Sequence, residues 1–231
     1  MNDTTLYRIA IWLIPLVIAI VFHEVAHGYV ARMLGDQTAA QRGRLTLNPI
    51  RHVDPVGTLL VPMMLALANA PIFGWAKPVP VVTARLNHPR RDMALVALAG
   101  PGINLVMAMI AAAAIGVWVG SAGGLPQSGV AGFIAANLIN FLLINVFLAI
   151  FNLLPVPPFD GGHVVEAILP RALAAHYAKL SRFGFPVMLF LLVILPTIAP
   201  SANVVARVVG PIADWVLGLL LAIFHVSLAS A

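Results

Sequence analysis

The stretch IAIWLIPLVIAIVFHEVAHGYVARML, Ile9 to Leu34, decides the fold class. It is apolar for longer than the ~20 residues that a helix needs to cross a bilayer. A turn signal, Gly35-Asp36, closes it. Inside it stand His23, Glu24 and His27. Ionisable groups at membrane depth cost at least ~2.5–3.5 kcal/mol each, so a helix that keeps three of them uses them. The whole chain agrees with this stretch. Of its 231 residues, 61% are hydrophobic and 9% charged, and the mean hydropathy is +0.99. A soluble domain carries about 25% charged residues, so this composition excludes a soluble globule, and it is too apolar for a disordered chain. The apolar runs are continuous rather than alternating, which favours helices over a β-barrel. The net charge of +5 gives no reason to expect nucleic acid, because Lys and Arg of a membrane protein sit in loops and set orientation. There is no cysteine, hence no disulfide, thiolate ligand or cysteine nucleophile. A cleavable signal peptide is not expected, since the first apolar run carries the three ionisable residues.

Working outward, further apolar runs follow at Val56–Phe73, Met93–Val119, Val130–Leu154, Phe185–Ile198 and Val204–Val226, with Gly161–Phe183 mixed and interfacial in character. The expected fold is all-α: a polytopic membrane bundle of about five to six transmembrane helices, forming one membrane-embedded domain over residues 1–231. Its catalytic core covers about 9–162 and its C-terminal helices about 185–226. Arg32, Arg42, Arg44 and Arg51, then Lys77, Arg85, Arg90 and Arg91, then Arg171, Lys179 and Arg182 form three basic clusters, whereas Ser121–Gly129 is uncharged. The positive-inside rule puts the clusters in the cytosol and the uncharged loop outside. Both ends of Val56–Phe73 then lie on one side. This run is also short and contains Pro62 and Pro71. It is expected to be a re-entrant or β-hairpin segment near the active site, lining a wet cavity.

The chemistry sits in His23-Glu24-Val25-Ala26-His27. On a helix, positions i and i+4 share a face, so two imidazoles can grip one ion, with the intervening glutamate placed beside it to handle a water's proton. With seven histidines in 231 residues and a glutamate at only two positions, chance matches number about 0.002 per chain. Imidazole and carboxylate ligands with one open position suit a single catalytic zinc ion. A third ligand is needed, and Asp36, Asp54, Asp92, Asp160 and Glu166 are the acids within reach of the cytosolic side, with His52 in reserve. Asp160 follows Asn152-Leu153-Leu154-Pro155-Val156-Pro157-Pro158-Phe159 and precedes Gly161-Gly162. Prolines that end the helix and glycines that turn the chain can aim its carboxylate back into the bundle. The same residue could instead cap the next helix.

Together these motifs resemble the site-2 protease family of intramembrane zinc metalloproteases, in its compact bacterial-type branch without a PDZ or nucleotide-sensing domain. The likeness runs from about His23 to Gly162, and includes Asn48–Thr58 and Gly74–Val81. It implies that His23, His27 and Asp160 ligate zinc and that Glu24 is the catalytic base. It further implies that Asn152 helps to position substrate or to stabilise the oxyanion. Asn104, closing Gly100-Pro101-Gly102-Ile103-Asn104, is implied as a residue touching substrate or supporting a ligand; close helix packing is the other reading of that stretch. His163, three residues past Asp160, could support it or simply be solvated. The implied activity is hydrolysis of peptide bonds within or beside transmembrane segments of membrane protein substrates. The implied location is multi-pass in the bilayer of a bacterial inner membrane, with the site toward the cytosol. Two alternatives share the first motif. A metal-binding transporter would need more ligands along a path through the membrane. A prenyl-protein-processing type of metalloprotease would take a glutamate, here Glu166, as third ligand.

Overall fold

The computed structural model describes residues 5–67 and 74–226. Its helices in chain order are α1 (Thr5–Met33), α2 (Thr38–Gln41), α3 (Val61–Leu67), α4 (Pro89–Ala122), α5 (Gly129–Asn152), α6 (Asp160–Ile168), α7 (Arg171–Ala178), α8 (Gly184–Leu189), α9 (Leu195–Ile198) and α10 (Gly210–Ile223). No strand occurs among the described residues, so the all-α class expected from the apolar runs holds. Among the described residues, four helical stretches are long and apolar enough to cross a membrane: α1, α4, α5 and Val205–Ile223, which contains α10. Arg171–Phe183 and Pro186–Ile198, bent by 71°, make a fifth if the pair counts as one span. Among the described residues the count is therefore four to five, at the lower end of the expected number, because the Phe185–Ile198 run is too short to cross alone.

The described part of that segment is helical. Asp54 starts it: its Oδ1 accepts the backbone N–H groups of Val56 at 3.0 Å and Gly57 at 2.7 Å. Pro55, which has no N–H to satisfy, stands at the first position. The chain continues through Pro55–Leu60 into α3. Residues 68–73 lie outside the described residues, and the expectation of a re-entrant or hairpin course falls partly on them.

The centre of the bundle is α4, which packs against α1, α5 and α6, while α10 lies against α5 and α4. Small side chains make this possible. Ala108, Ala111 and Ala112 of α4 meet Ala135, Leu142 and Val146 of α5 and Leu220 and Leu221 of α10. Small residues at helix interfaces let backbones approach closely where lipid removes the hydrophobic drive. The outward faces are apolar, with Trp12, Leu13, Ile110, Val117 and Ile134 exposed, as a lipid-facing surface requires.

Pro15 interrupts α1 and leaves the carbonyl of Ile11 without its helical donor. Asn140 of α5 supplies the missing bond, its Nδ2 donating to Ile11 O at 2.7 Å. A neighbouring helix thereby satisfies a backbone group that water could not reach. The crossing of α1 on α5 is pinned at this point, one of several places where a buried amide ties the bundle together.

Candidate metal centre

His23 and His27 project from one face of α1 toward α4 and α6. His27 Nδ1 lies 2.7 Å from the carbonyl oxygen of Val96 on α4. A carbonyl only accepts, so Nδ1 carries the proton and Nε2 presents a lone pair. His23 Nδ1 lies 2.5 Å from Oδ1 of Asn104. The Nδ2 of that amide donates to Asn145 Oδ1 at 2.7 Å and to Ala19 O at 3.4 Å. With its donor so engaged, the amide offers only an acceptor to His23, which is held in the same tautomer as His27.

Asp160 is the first residue of α6 and closes the site. Its Oδ2 lies 3.1 Å from His23 Nε2 and 3.4 Å from His27 Nε2. The three ligand atoms fall within 4.8 Å of one another. That carboxylate oxygen is buried and has no hydrogen-bond partner. Two imidazole Nε2 atoms and a carboxylate oxygen therefore converge on one point. With both rings neutral, three lone pairs meet in this space, and a cation is what joins them. The donor set, two imidazoles and a carboxylate, is the one that zinc accepts with a fourth position left open. Gly100 of α4 floors the site: a Cβ there would collide with the rings of both histidines.

The other acids within reach are occupied elsewhere. Asp36 is fully buried. Its Oδ1 accepts from the backbone N–H and hydroxyl of Thr38, and its Oδ2 accepts from the Val82 N–H at 2.6 Å. Burial opposes ionisation of Asp36, yet the bonds from Thr38 and Val82, with the Arg85 charge nearby, hold its carboxyl below the usual range. Asp54 caps the Pro55 turn. Asp92 accepts the His88 N–H at 2.7 Å. Glu166 sits 3.7 Å from His163, and both side chains are exposed on the surface of α6. His52 donates from Nε2 to Thr46 O at 2.9 Å. Among the described residues, His23, His27 and Asp160 are the one such group of potential ligands.

Gly161 has a different reason from the one its sequence context suggests. It begins a helix with ordinary negative φ rather than a left-handed turn. A Cβ at this position would overlap the carbonyl oxygens of Leu153 and Leu154. Glycine is required because α6 folds back tightly over the end of α5, and that close approach aims Asp160 at the histidines.

Glu24 stands outside the ligand group. Its Oε2 accepts the backbone N–H of Val79 at 2.8 Å. Pro78 and Pro80 on either side of Val79 have no N–H, so this segment offers the carboxylate one donor there. The segment is held at both ends, with Arg44 Nη2 donating to Lys77 O at 2.7 Å and Asp36 accepting from Val82. Asn152, at the end of α5, donates from Nδ2 to Leu148 O at 2.9 Å, so its amide is turned back on its own helix. Asn104 is fully buried and supports His23. Val79, Val96 and Asn145 escaped the reading of the sequence. Two of them act through the backbone, which leaves no residue-type signal. The third does leave one: α5 carries Asn137, Asn140, Asn145 and Asn152 in an otherwise apolar helix, and buried amides of this kind join neighbouring helices.

The profile of peptidase family M50 matches residues 11–195. Three relatives, each named a "Putative zinc metalloprotease", are similar to the chain over most of its length. YwhC of Bacillus subtilis is 38% identical over 188 residues, covering 78% of each chain. Rip2 of Mycobacterium tuberculosis H37Rv is 35% identical over 196 residues, covering 84% of this chain and 68% of that one. Rip2 of Mycolicibacterium smegmatis is 31% identical over 196 residues, with the same coverage. No solved structure matches the chain significantly. The family match spans the helix of the two histidines, the α4 floor and the α5–α6 turn that carries Asp160. This chain belongs to peptidase family M50, and it is a membrane-embedded zinc metalloprotease.

Proposed function

We propose that His23, His27 and Asp160 hold the zinc ion of this peptidase, that Glu24 is its general base, and that its substrates are membrane proteins cut within or beside a transmembrane segment. The observation that carries this reading is the convergence of two imidazole nitrogens of the membrane-spanning helix α1 with a carboxylate oxygen at the start of α6, at one buried point. Zinc bound there would act as a Lewis acid toward a peptide carbonyl and acidify a water. Glu24, one position from His23 and steadied by the Val79 N–H, takes the water's proton and passes it to the leaving amine. Asn152, once its amide turns from Leu148 O, donates to the oxygen that gains charge. Val96 and Asn104 keep the two histidines from rotating. A transporter needs ligands in series, and the described residues hold a single cluster. A substrate helix shields its own carbonyls, so it must unwind locally before Glu24 can work on it.

The reading is tested with purified protein in detergent or vesicles and a reporter that carries one transmembrane helix. Cleavage should stop when a chelator removes the metal and return when zinc is added back. Zinc-independent cleavage, or none with zinc restored, would refute it.

The orientation in this proposal, a bacterial inner membrane with the site toward the cytosol, is supported by the positive-inside rule applied to the basic clusters. Arg42, Arg44 and Arg85 then share the cytosolic side, and Ser121–Gly129 is outside. The chain has no cysteine, so single-cysteine variants give a clean background. Impermeant labelling should reach positions 44 and 85 from the same side and position 124 from the other. Opposite-side labelling of 44 and 85 would show that the Val56–Phe73 segment spans.

A further inference from the structure

We propose that Asn145 is a positioning residue of the metal centre, setting the direction of a buried amide relay that keeps His23 able to bind metal. The inference rests on His23 being a ligand, as proposed above. The relay starts at a backbone carbonyl. Asn145 Nδ2 donates to Phe141 O at 2.7 Å, which leaves its Oδ1 facing Asn104. Asn104 Nδ2 donates into that oxygen at 2.7 Å, which leaves Asn104 Oδ1 facing His23 Nδ1. Asn104 and Asn145 are both completely buried, so no water competes for either amide.

Each amide has two ends of similar shape and opposite hydrogen-bonding sense. Phe141 O can only accept, so it orients Asn145, which orients Asn104, which orients His23. The outcome at the far end is chemical. With Nδ1 protonated, His23 Nε2 presents its lone pair to the space shared with Asp160 and His27. Were Asn104 to flip, its NH2 would face Nδ1. The proton would then move to Nε2, the ring nitrogen that must be bare to bind metal. The second acceptor on Asn104 Nδ2, Ala19 O at 3.4 Å, is too distant to hold the amide alone. Three helices share the relay, with His23 and Ala19 on α1, Asn104 on α4, and Phe141 and Asn145 on α5, so their packing is read out as a protonation pattern at the metal.

Two substitutions separate this role from simple packing. Asn145→Leu fills the space and removes both bonds. Asn145→Asp, kept as the neutral acid at this depth, preserves both: its O–H donates to Phe141 O and its C=O accepts from Asn104. The zinc dissociation constant, measured by competition with a chromogenic chelator, should rise about 10- to 100-fold in Asn145→Leu, the usual cost of losing an outer support of a ligand. It should return close to the wild-type value in Asn145→Asp. The visible spectrum of the cobalt-substituted protein should follow the same order, changing in the Leu variant and not in the Asp variant. Asn145→Ala serves in place of the Leu variant if that one does not accumulate. Wild-type affinity in the Leu or Ala variant would overturn the proposal, as would an Asp variant as weak as either. A wild-type protein without a zinc site would instead defeat the ligand assignment on which the proposal rests.

Discussion

Replacing Glu24 with glutamine should leave zinc at the wild-type stoichiometry and reduce cleavage of a membrane-helix reporter by about 10²–10⁴-fold, the range that a positioned general base contributes. The two halves of this result have separate causes. The atoms proposed to bind the metal belong to His23, His27 and Asp160, and lie within 4.8 Å of one another. The Glu24 carboxylate takes no part in that group and is engaged by the Val79 N–H. Glutamine retains a carbonyl oxygen able to accept that same N–H, so the local fold is preserved and only the proton acceptor is lost. Zinc analysis of the purified variant beside a cleavage assay checks both halves. Loss of zinc in Glu24→Gln would make Glu24 a ligand and contradict its assignment as the base.

Asp160→Asn should lose both zinc and activity. Only one carboxylate oxygen faces the two Nε2 atoms, at 3.1 and 3.4 Å, and an amide replaces its charge with either a weak neutral acceptor or an NH2 group pointed at two lone pairs. A first ligand removed from a site of three leaves two, so the expected loss exceeds the ~10–100-fold typical of an outer supporting partner. Asn152→Ala provides the contrast. Its amide touches Leu148 O rather than the ligand group, so zinc should stay while the rate falls by roughly 10²–10³-fold, as when an oxyanion donor is removed. Metal content of the two variants, measured side by side, decides the matter. Full occupancy in Asp160→Asn would contradict the ligand set, and loss of zinc in Asn152→Ala would make Asn152 part of the metal site rather than a substrate-side donor.

The sequence by itself determined the features that depend on spacing within one helix or on composition. A 9% charged chain with long apolar runs has no soluble solution. His23 and His27 share a face because 3.6 residues make a turn, whatever the rest of the chain does. Asp160 was approachable for the same reason of chain direction: prolines stop α5 just before it. Where a residue's role depends on what crosses it from another helix, spacing is silent. The sequence offered several acids for the third ligand, and tertiary structure distributed them, sending Asp36 to Val82 and Asp92 to His88 and leaving Asp160 at the histidines. Gly100 and Gly161 looked like flexible or small positions and proved to be close approaches, to two imidazole rings and to two carbonyl oxygens. Asn104 could have been packing or chemistry, and only the crossing of α1, α4 and α5 made it a support for His23. The partner of Glu24 is a backbone N–H, which every residue but proline possesses, so no pattern of side chains could have named Val79. The physical reason is common to all of these: periodicity along a helix is written in neighbouring residues, whereas hydrogen-bond direction in a buried site is set by which donor the bundle brings opposite which acceptor.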